Sequence, residues 1–371
     1  MGYVLISFLS WLILRFLVLR RLPCGRPART VLSCLFFLPI LYYAYLQASC
    51  FIVLPEPSFG TAILMGAWCG TVLIAAPPAS AGVLCLMRFG RKKSMRRVGA
   101  GACLIFSLFF SSVLVLCGLR EGLSVPSVQE VSVNLPAGCD ALDGIRMAVI
   151  SDLHLGCATP PGWLEETLRR IKEARADIIL LDGDLSDGRP EDRRSDLARL
   201  GTLEAPFGVW AVPGNHEYYV DYAGIMAALP DSVHVLANSH ARLRTSLGTF
   251  VLAGVTDRKA RARGLPGPDI EKALSGLSGD GAIGPVLLMS HRPAGWSRNA
   301  ARGVVLQICG HTHGGQFIWN RLFLRLIGRR YLHGLFERNS SLLWVGSGAS
   351  QWFGFPLRVG VPPEIAVLNL H

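Results

Sequence analysis

Acidic residues are almost missing from the first third of this chain: Glu56 is alone between residues 1 and 120, against twelve Lys and Arg. Residues 121–371 carry 25 of each sign, so the whole formal charge of +11 belongs to the apolar N-terminal region. That distribution excludes a nucleic-acid footprint, because the part of the chain that looks globular is neutral. Charge of either sign is scarce, at 17% of 371 residues against 51% hydrophobic, which excludes a single ordinary soluble domain. The large C-terminal part also lacks closely spaced cysteines. Cys139, Cys157 and Cys309 form neither a zinc knuckle nor a thioredoxin-type pair, and core packing is the expectation for them. Nor does any glycine-rich loop run into the Lys and Ser or Thr that a nucleotide-phosphate cradle needs. No internal repeat is present.

What the first 120 residues do contain is four apolar stretches: Gly2–Leu19, interrupted by Arg15, then Val31–Val53, Phe59–Met87 and Val98–Leu119. Each approaches the ~20 residues that cross a hydrocarbon layer. Pro77 and Pro78 inside the third suggest a tilt, a kink or a partly re-entrant path. Basic residues fill two of the connections: Arg20, Arg21, Arg26 and Arg29, and then Arg88, Arg91, Lys92, Lys93, Arg96 and Arg97. Positive loops stay in the cytoplasm, so the short loop around Glu56 and the large domain are expected outside. The loop just before the last span is the firmer guide.

Residues 121–141 read as a linker with one strand, Val128–Val133, and residues 142–371 as the globular domain. Strands are expected at Ile145–Ile150, Ile178–Leu181, Val209–Val212, Val233–Leu236, Thr249–Gly254, Val286–Met289, Val304–Ile308, Leu342–Gly346 and Ile365–Leu370. Helices are expected at Trp163–Ala174, Glu191–Leu200 and Tyr222–Ala228. This alternation predicts an α/β sandwich with largely buried strands.

Five polar motifs end apolar runs in order: Ser151-Asp152-Leu153-His154, Gly183-Asp184, Gly214-Asn215-His216-Glu217, Ser290-His291 and Gly310-His311-Thr312-His313. A single Asp-x-His means little, but five such motifs at successive strand ends point to a metal centre. Carboxylate, imidazole and amide carbonyl form a mixed donor set that suits Mn²⁺, Fe or Zn²⁺ better than a calcium cage. Seven donors suffice for two ions if one carboxylate bridges, and such a pair, about 3.5–4 Å apart, clamps a phosphoryl group. Gly183, Gly214 and Gly310 precede donors and permit tight strand-to-loop turns. Asp187 reads as a loop-ordering residue, Asp182 as a strand end, and Glu217 as either a support for the site or an ion-pair partner. His234, His240, His333 and His371 read as surface or packing residues.

With these blocks in order, the chain resembles the calcineurin-like metallophosphoesterase superfamily, whose pattern is D-x-H, GD, GNH(E/D), H and GHxH, over roughly residues 143–371. The fuller spellings Ser151-Asp152-Leu153-His154-Leu155-Gly156, Gly214-Asn215-His216-Glu217-Tyr218 and Cys309-Gly310-His311-Thr312-His313-Gly314-Gly315-Gln316 look like its bacterial membrane-associated branch, which includes phosphoesterases similar to UDP-diacylglucosamine pyrophosphohydrolases. The resemblance implies a four-layer α/β/β/α sandwich, here preceded by an all-helical transmembrane region. It implies that Asp152, His154 and His313 hold one ion, that Asn215, His291 and His311 hold the other, and that Asp184 bridges them. His216 would contact the phosphate and protonate the leaving oxygen.

The function this implies is a multi-pass enzyme of the bacterial inner membrane with its catalytic domain on the periplasmic or extracellular side. It would hydrolyse a phosphate ester or anhydride by attack of metal-bound hydroxide, without a covalent intermediate. Expected partners are membrane lipids and a phosphate-bearing small-molecule or lipid-linked substrate, not nucleic acid; oligomeric state is left open. An apolar and basic patch after the last motif, Phe317, Ile318, Trp319, Leu322, Phe323, Leu324, Leu326 and Ile327 with Arg329, Arg330 and Tyr331, suits a lip meeting head groups, and packing of a C-terminal hairpin is the alternative for the same residues. A second apolar group is Trp352, Phe353, Phe355 and Pro356. The alternatives are a catalytically weak metal-binding scaffold and the accessory domain of a transporter, the latter disfavoured by spans nearly free of charge beyond Arg15.

Overall fold

Two units divide the chain: Met1–Glu121 with Phe355–Leu357, and Gly122–Gly354 with Arg358–His371. The computed structural model describes residues 2–48, 56–90, 92–277, 284–351 and 355–371. The end of the second expected span (residues 49–53), together with Arg91, Trp352 and Phe353, lies outside the described residues.

The first unit is helical: α1 Gly2–Ile13, α2 Arg26–Ala48, α3 Phe59–Phe89 and α4 Lys93–Gly122. Three stretches among the described residues are long and apolar enough to cross a membrane: Arg26–Leu46, Phe59–Phe89 and Lys93–Gly122. The expected first span is not among them. Its regular helix stops at Ile13 after 12 residues, about 18 Å. The chain then winds through a π turn, Leu14–Val18, and a 3₁₀ turn, Leu19–Arg21. Charged groups accompany that change: Arg15 donates to Ser33 Oγ at 2.6 Å, and Arg21 donates to the Leu17 carbonyl at 2.7 Å. α3 runs through Pro77 and Pro78 as one helix. Its buried positions are mostly small, among them Ala62, Gly66, Gly70, Ala75 and Ala79, which lets helices approach closely. On α4, Ile105, Phe106 and Phe109 are exposed, the arrangement expected of side chains that face lipid.

The second unit holds two six-stranded sheets. The first contains β1 Ser127–Val133, β2 Arg146–Ile150, β3 Ile178–Asp182, β4 Val209–Val212, β5 Val233–Val235 and β12 Glu364–Leu370, in the order β1-β12-β2-β3-β4-β5. The second contains β6 Ser239–Thr245, β7 Gly248–Gly254, β8 Val286–Met289, β9 Val304–Cys309, β10 Gly334–Arg338 and β11 Ser341–Val345, in the order β10-β11-β9-β8-β7-β6. The central pairs β2–β3, β3–β4, β7–β8 and β8–β9 are parallel, so their C-terminal ends align along one edge of each sheet.

Strand alternation sorts the side chains into layers. Met147, Val149, Ile178 and Leu180 of one sheet meet Phe250, Leu252, Leu287, Met289, Leu306 and Ile308 of the other in a central core. Neighbouring residues Ala148, Ile150, Ile179 and Leu181 face the opposite way, toward Trp163, Leu164 and Leu168 of α5 (Trp163–Glu173), Leu197 of α6 (Pro190–Arg199) and Ile225 of α7 (Tyr222–Ala227). On the far side, Val251, Ala253, Val286 and Leu288 pack with Ala273 of α8 (Ile270–Ala273), while Trp296 of α9 (Trp296–Ala300) covers Cys309, Leu343 and Val345. The result is the expected α/β/β/α sandwich. Two edge strands, β6 and β10, were not expected from the sequence.

Candidate metal centre

Every candidate donor lies just beyond the C-terminal end of a parallel strand. Asp152 and His154 follow β2, Asp184 follows β3, Asn215 follows β4, His291 follows β8, and His311 and His313 follow β9. Loops leaving the same edge of neighbouring strands converge, so residues up to 161 positions apart come together. Donor atoms within 4.8 Å of one another form three buried or half-buried groups: Asp152, His154 and His313; His154, Asp184 and His216; and Asp184, His291 and His311. Asn215 joins the last group through its side-chain oxygen, which shares the Arg292 guanidinium with His311.

The backbone is forced to make this convergence. Asp152, His154, Asp184, His311 and His313 all sit at positive φ, between 42° and 67°. A non-glycine residue held there costs about 1–3 kcal/mol, a strain that persists only where the surroundings over-determine it. Gly183 and Gly214 are needed for a different reason. A Cβ on Gly183 would lie 2.6 Å from the Gly214 nitrogen, and one on Gly214 would lie 2.2 Å from Asp184 Oδ1.

Hydrogen bonds fix the imidazoles. His154 donates from Nδ1 to Asp187 Oδ2 at 3.1 Å, and His291 donates from Nδ1 to the Asp182 carbonyl at 2.7 Å. Their Nε2 atoms therefore point inward: His154 Nε2 lies 3.3 Å from His313 Nε2, and His291 Nε2 lies 3.1 Å from Asp184 Oδ2. His313 Nε2 is also 3.3 Å from Asp152 Oδ1. Imidazole nitrogens and carboxylate oxygens gathered at these distances suit a shared cation, and the mixed donor set fits a divalent ion. The neighbouring carboxylates favour positive charge in this cluster. Burial lowers the pKa of His154 and His291, yet Asp187, Asp184 and Asp152 outweigh it for the first, holding it up at about 9, and Asp184 with Asp152 and Asp182 raises the second well above its ordinary value. Burial keeps His311 and His313 neutral, helped by Arg292 and His154 respectively, so both keep a lone pair for a metal. These side chains form two clustered donor sets suited to a dinuclear centre.

Several supporting residues were missed or misread in sequence. Asp187 is more than a loop residue: it accepts from Nδ1 of both His154 and His216, the latter at 2.6 Å, and the two imidazoles hold its pKa well down despite burial. Glu217, left open above, accepts from the backbone nitrogens of Asp184, Leu185 and Gly214, tying two donor loops together. Asp182 is wholly buried, and burial raises its pKa well above the carboxylate range. Arg292 places its guanidinium 2.6 Å from Asn215 Oδ1, beside His311 Nε2, with Asp257 as its ion-pair partner. Its only sequence signal is its place next to His291. Arg358 is fully buried and donates to the Ser347 and Ser350 carbonyls, bracing the loop against which His313 rests. Among the other histidines, His333 pairs with Glu364 and His240 binds the Ala273 carbonyl, as packing residues do.

The expected lip is an exposed helix, α10 (Ile318–Leu326), none of whose residues is buried. Leu322, Phe323 and Leu326 are 55%, 57% and 85% exposed, with Arg321 and Arg325 among them. Phe355 and Pro356, from the second expected apolar group, are buried instead and belong to packing.

Residues 145–315 match the family model described as calcineurin-like phosphoesterase. Curated relatives include an uncharacterized metallophosphoesterase of Helicobacter pylori, 34% identical over 68% of this chain and 66% of that protein. A transmembrane protein with metallophosphoesterase domain of Danio rerio is 28% identical over 77% of this chain and 68% of that protein. An uncharacterized metallophosphoesterase of Campylobacter jejuni is 29% identical over 72% of this chain and 70% of that protein. The matched stretch thus spans about two thirds of the length of these relatives.

Proposed function

We propose that this chain, whose residues 145–315 form a calcineurin-like metallophosphoesterase domain homologous to bacterial and eukaryotic metallophosphoesterases, is a membrane-anchored, dinuclear phosphoesterase. The observation that carries the reading is the inward convergence of the His154, His291 and His313 Nε2 atoms on Asp152 and Asp184. Asp152, His154 and His313 would hold one ion, Asn215, His291 and His311 the second, and Asp184, shared by two of the donor groups, would bridge. Mn²⁺, Fe and Zn²⁺ all suit this donor set.

When bound, two divalent ions supply Lewis acidity to phosphoryl oxygens and make water acidic enough to act as nucleophile near neutral pH. The chain does the rest. Water oxygen bonds to phosphorus as the bond to the leaving oxygen breaks; the water sheds one proton to solvent, and His216 Nε2 gives one to the leaving oxygen and is reprotonated from solvent. Asp187 holds the His216 ring by Nδ1, so that Nε2 faces the cluster, 3.9 Å from Asp184 Oδ2. Asp184 Oδ1 in turn accepts the His216 backbone N–H at 2.8 Å, which fixes the acid relative to the donors.

Three candidate spans and the exposed apolar helix α10 support a lipid-linked or cell-envelope substrate, such as those of bacterial UDP-diacylglucosamine pyrophosphohydrolase-like phosphoesterases. The basic residues among 88–97, at the end of α3 and the start of α4, support a domain on the periplasmic or outer face.

The test is metal analysis of the detergent-purified protein, followed by turnover of phosphomonoesters, phosphodiesters and lipid-linked diphosphates, with Asp184→Asn alongside. Two ions per chain and turnover falling about 10³-fold or more in the variant are expected. Two ions with no turnover of any ester would instead identify a metal-binding scaffold.

A further inference from the structure

We propose that the cavity between the π turn Leu14–Val18 and the start of α2 binds the phosphate of an anionic phospholipid. The site lies wholly within the helical unit, uses no residue of the metal centre, and does not depend on what that centre hydrolyses.

The cavity encloses about 550 Å³, room for a headgroup with its glycerol. Arg15, Arg20, Arg26 and Arg29 line it, together with the hydroxyl-bearing Thr30 and Ser33. No carboxylate answers them, since residues 1–55 contain neither Asp nor Glu. The protein's own groups take up only part of the four guanidinium groups. Arg15 donates to Ser33 Oγ, a neutral acceptor, and Arg29 donates to the carbonyls of Cys24 and Arg20 at 3.0 and 2.8 Å. Arg20 lies over the Phe16 ring, 4.5 Å from its centroid. Arg26 is exposed, and among the described residues its guanidinium has no hydrogen-bond or ion-pair partner. α2 also begins at Arg26 and is 23 residues long, so the positive end of its dipole falls at the same place.

Packing holds this wall ready for a ligand. Leu14, Val18 and Leu19 are buried in one cluster with Val72, Ala76 and Val83 of α3. Arg26, Arg29 and Ser33 recur at helical spacing and share one face of α2. A π turn has poorer hydrogen bonds than an α-helix and occurs mostly at functional positions; here it carries Arg15. That arginine stands inside an apolar stretch, where a charged group is costly unless it finds a counter-charge, and its acceptor Ser33 is neutral. A soluble anion would answer the charge but not the surroundings. Leu9 and Ile13 of α1, Phe16 of the turn, and Val31 and Leu35 of α2 are 39–58% exposed, a surface that suits acyl chains. The positive-inside rule keeps Arg20, Arg26 and Arg29 at the cytoplasmic face, whose leaflet is the one that supplies anionic lipids to basic pockets between helices. Four cationic groups around one cavity favour a headgroup with two negative charges.

The full chain, purified in detergent, is titrated with tetraoleoyl cardiolipin and with dioleoyl phosphatidylcholine, and bound lipid is counted by native mass spectrometry. One cardiolipin per chain is expected, bound about tenfold or more tightly than phosphatidylcholine. The triple variant Arg15→Gln, Arg26→Gln, Arg29→Gln should bring that ratio below about twofold. Arg88→Gln, Lys92→Gln, Lys93→Gln removes the same charge from the other basic cluster and should leave the ratio unchanged. Equal loss in the two triple variants would reduce the effect to net charge and overturn the site, as would equal affinity for the two lipids. Arg26→Gln alone breaks no side-chain contact among the described residues, so it decides the matter even if the first triple variant loses its helical circular dichroism: its preference should drop about threefold or more, and an unchanged preference overturns the proposal. Glycerophosphoglycerol, which offers the phosphodiester without acyl chains, is the third probe. Binding as tight as that of cardiolipin would make the occupant a soluble phosphate and overturn the assignment to lipid.

Discussion

Asp187 serves two imidazoles at once, accepting from Nδ1 of His154 and of His216. Replacing it with Asn leaves the volume unchanged but removes the charge that holds both rings. Asp187→Asn is expected to weaken metal binding, turnover or both by about 10–100-fold, the usual effect of losing a group that orients a ligand; titration of the metal-depleted protein with Mn²⁺ reads it. Glu364 makes a pH prediction. It accepts the Ser347 N–H at 2.7 Å and pairs with His333. Burial raises its pKa, but the His333 hydrogen bond and charge outweigh that and hold it below the ordinary value of 4.5. Its folded pKa is thus depressed, so its stabilisation is complete above the unfolded value and disappears as pH falls through the folded one. Glu364→Gln should cost about 1–3 kcal/mol at pH 7, with the gap in Tm from the parent protein closing below pH 4. The donors themselves were legible in sequence because each ends an apolar run in a fixed motif. Asp187, Arg292 and Arg358 were not, because what they touch is set by sheet geometry: Asp187 reaches His154 across 33 positions, and Arg358 reaches the Ser347 carbonyl across 11.

At the scale of elements, sequence pattern and structure agree best where strands are buried on both faces. Ile178–Leu181 and Val286–Met289 are unbroken apolar runs and are buried throughout. β6 and β10 escaped because each is an edge strand rich in polar residues: Ser239–Thr245 includes Arg242 and Arg244, and Gly334–Arg338 ends in Glu337 and Arg338. An edge strand packs less and carries charge against aberrant pairing, so its apolar signal is weak by design. α10 is the opposite case, an apolar run that remains exposed. Leu322, Phe323 and Leu326 are each more than half exposed, so Leu322→Asp with Phe323→Asp should change stability by no more than about 1 kcal/mol per site. If the helix meets lipid, the same pair should lower turnover of a lipid-linked phosphate in mixed micelles severalfold while a soluble phosphate is hydrolysed as before. Equal loss on both substrates would mean that α10 shapes access to the metal centre and does not contact lipid.

For the whole molecule, the proposed side of the membrane rests on the basic residues where α3 gives way to α4 and is independent of how the first helix is counted. Had all four apolar stretches crossed, both chain ends would lie on one side; with three spans the N-terminus lies opposite the domain. In either case Arg88, Lys92, Lys93, Arg96 and Arg97 cluster at the end of α3 and the start of α4, and holding that end of α4 in the cytoplasm would send residues after Gly122 outward. Arg20, Arg21, Arg26 and Arg29 also stay inside if α1 lies along the cytoplasmic face, so three spans satisfy both basic clusters without strain on the rule. Protease added to spheroplasts should therefore cleave the domain while a tag at residue 1 stays protected until the membrane is permeabilised. A domain that resists protease in spheroplasts, and is cut only after lysis, would place the metal centre in the cytoplasm. An exposed tag together with an exposed domain would restore the fourth crossing and turn α1, with its π turn at Arg15, into a span after all.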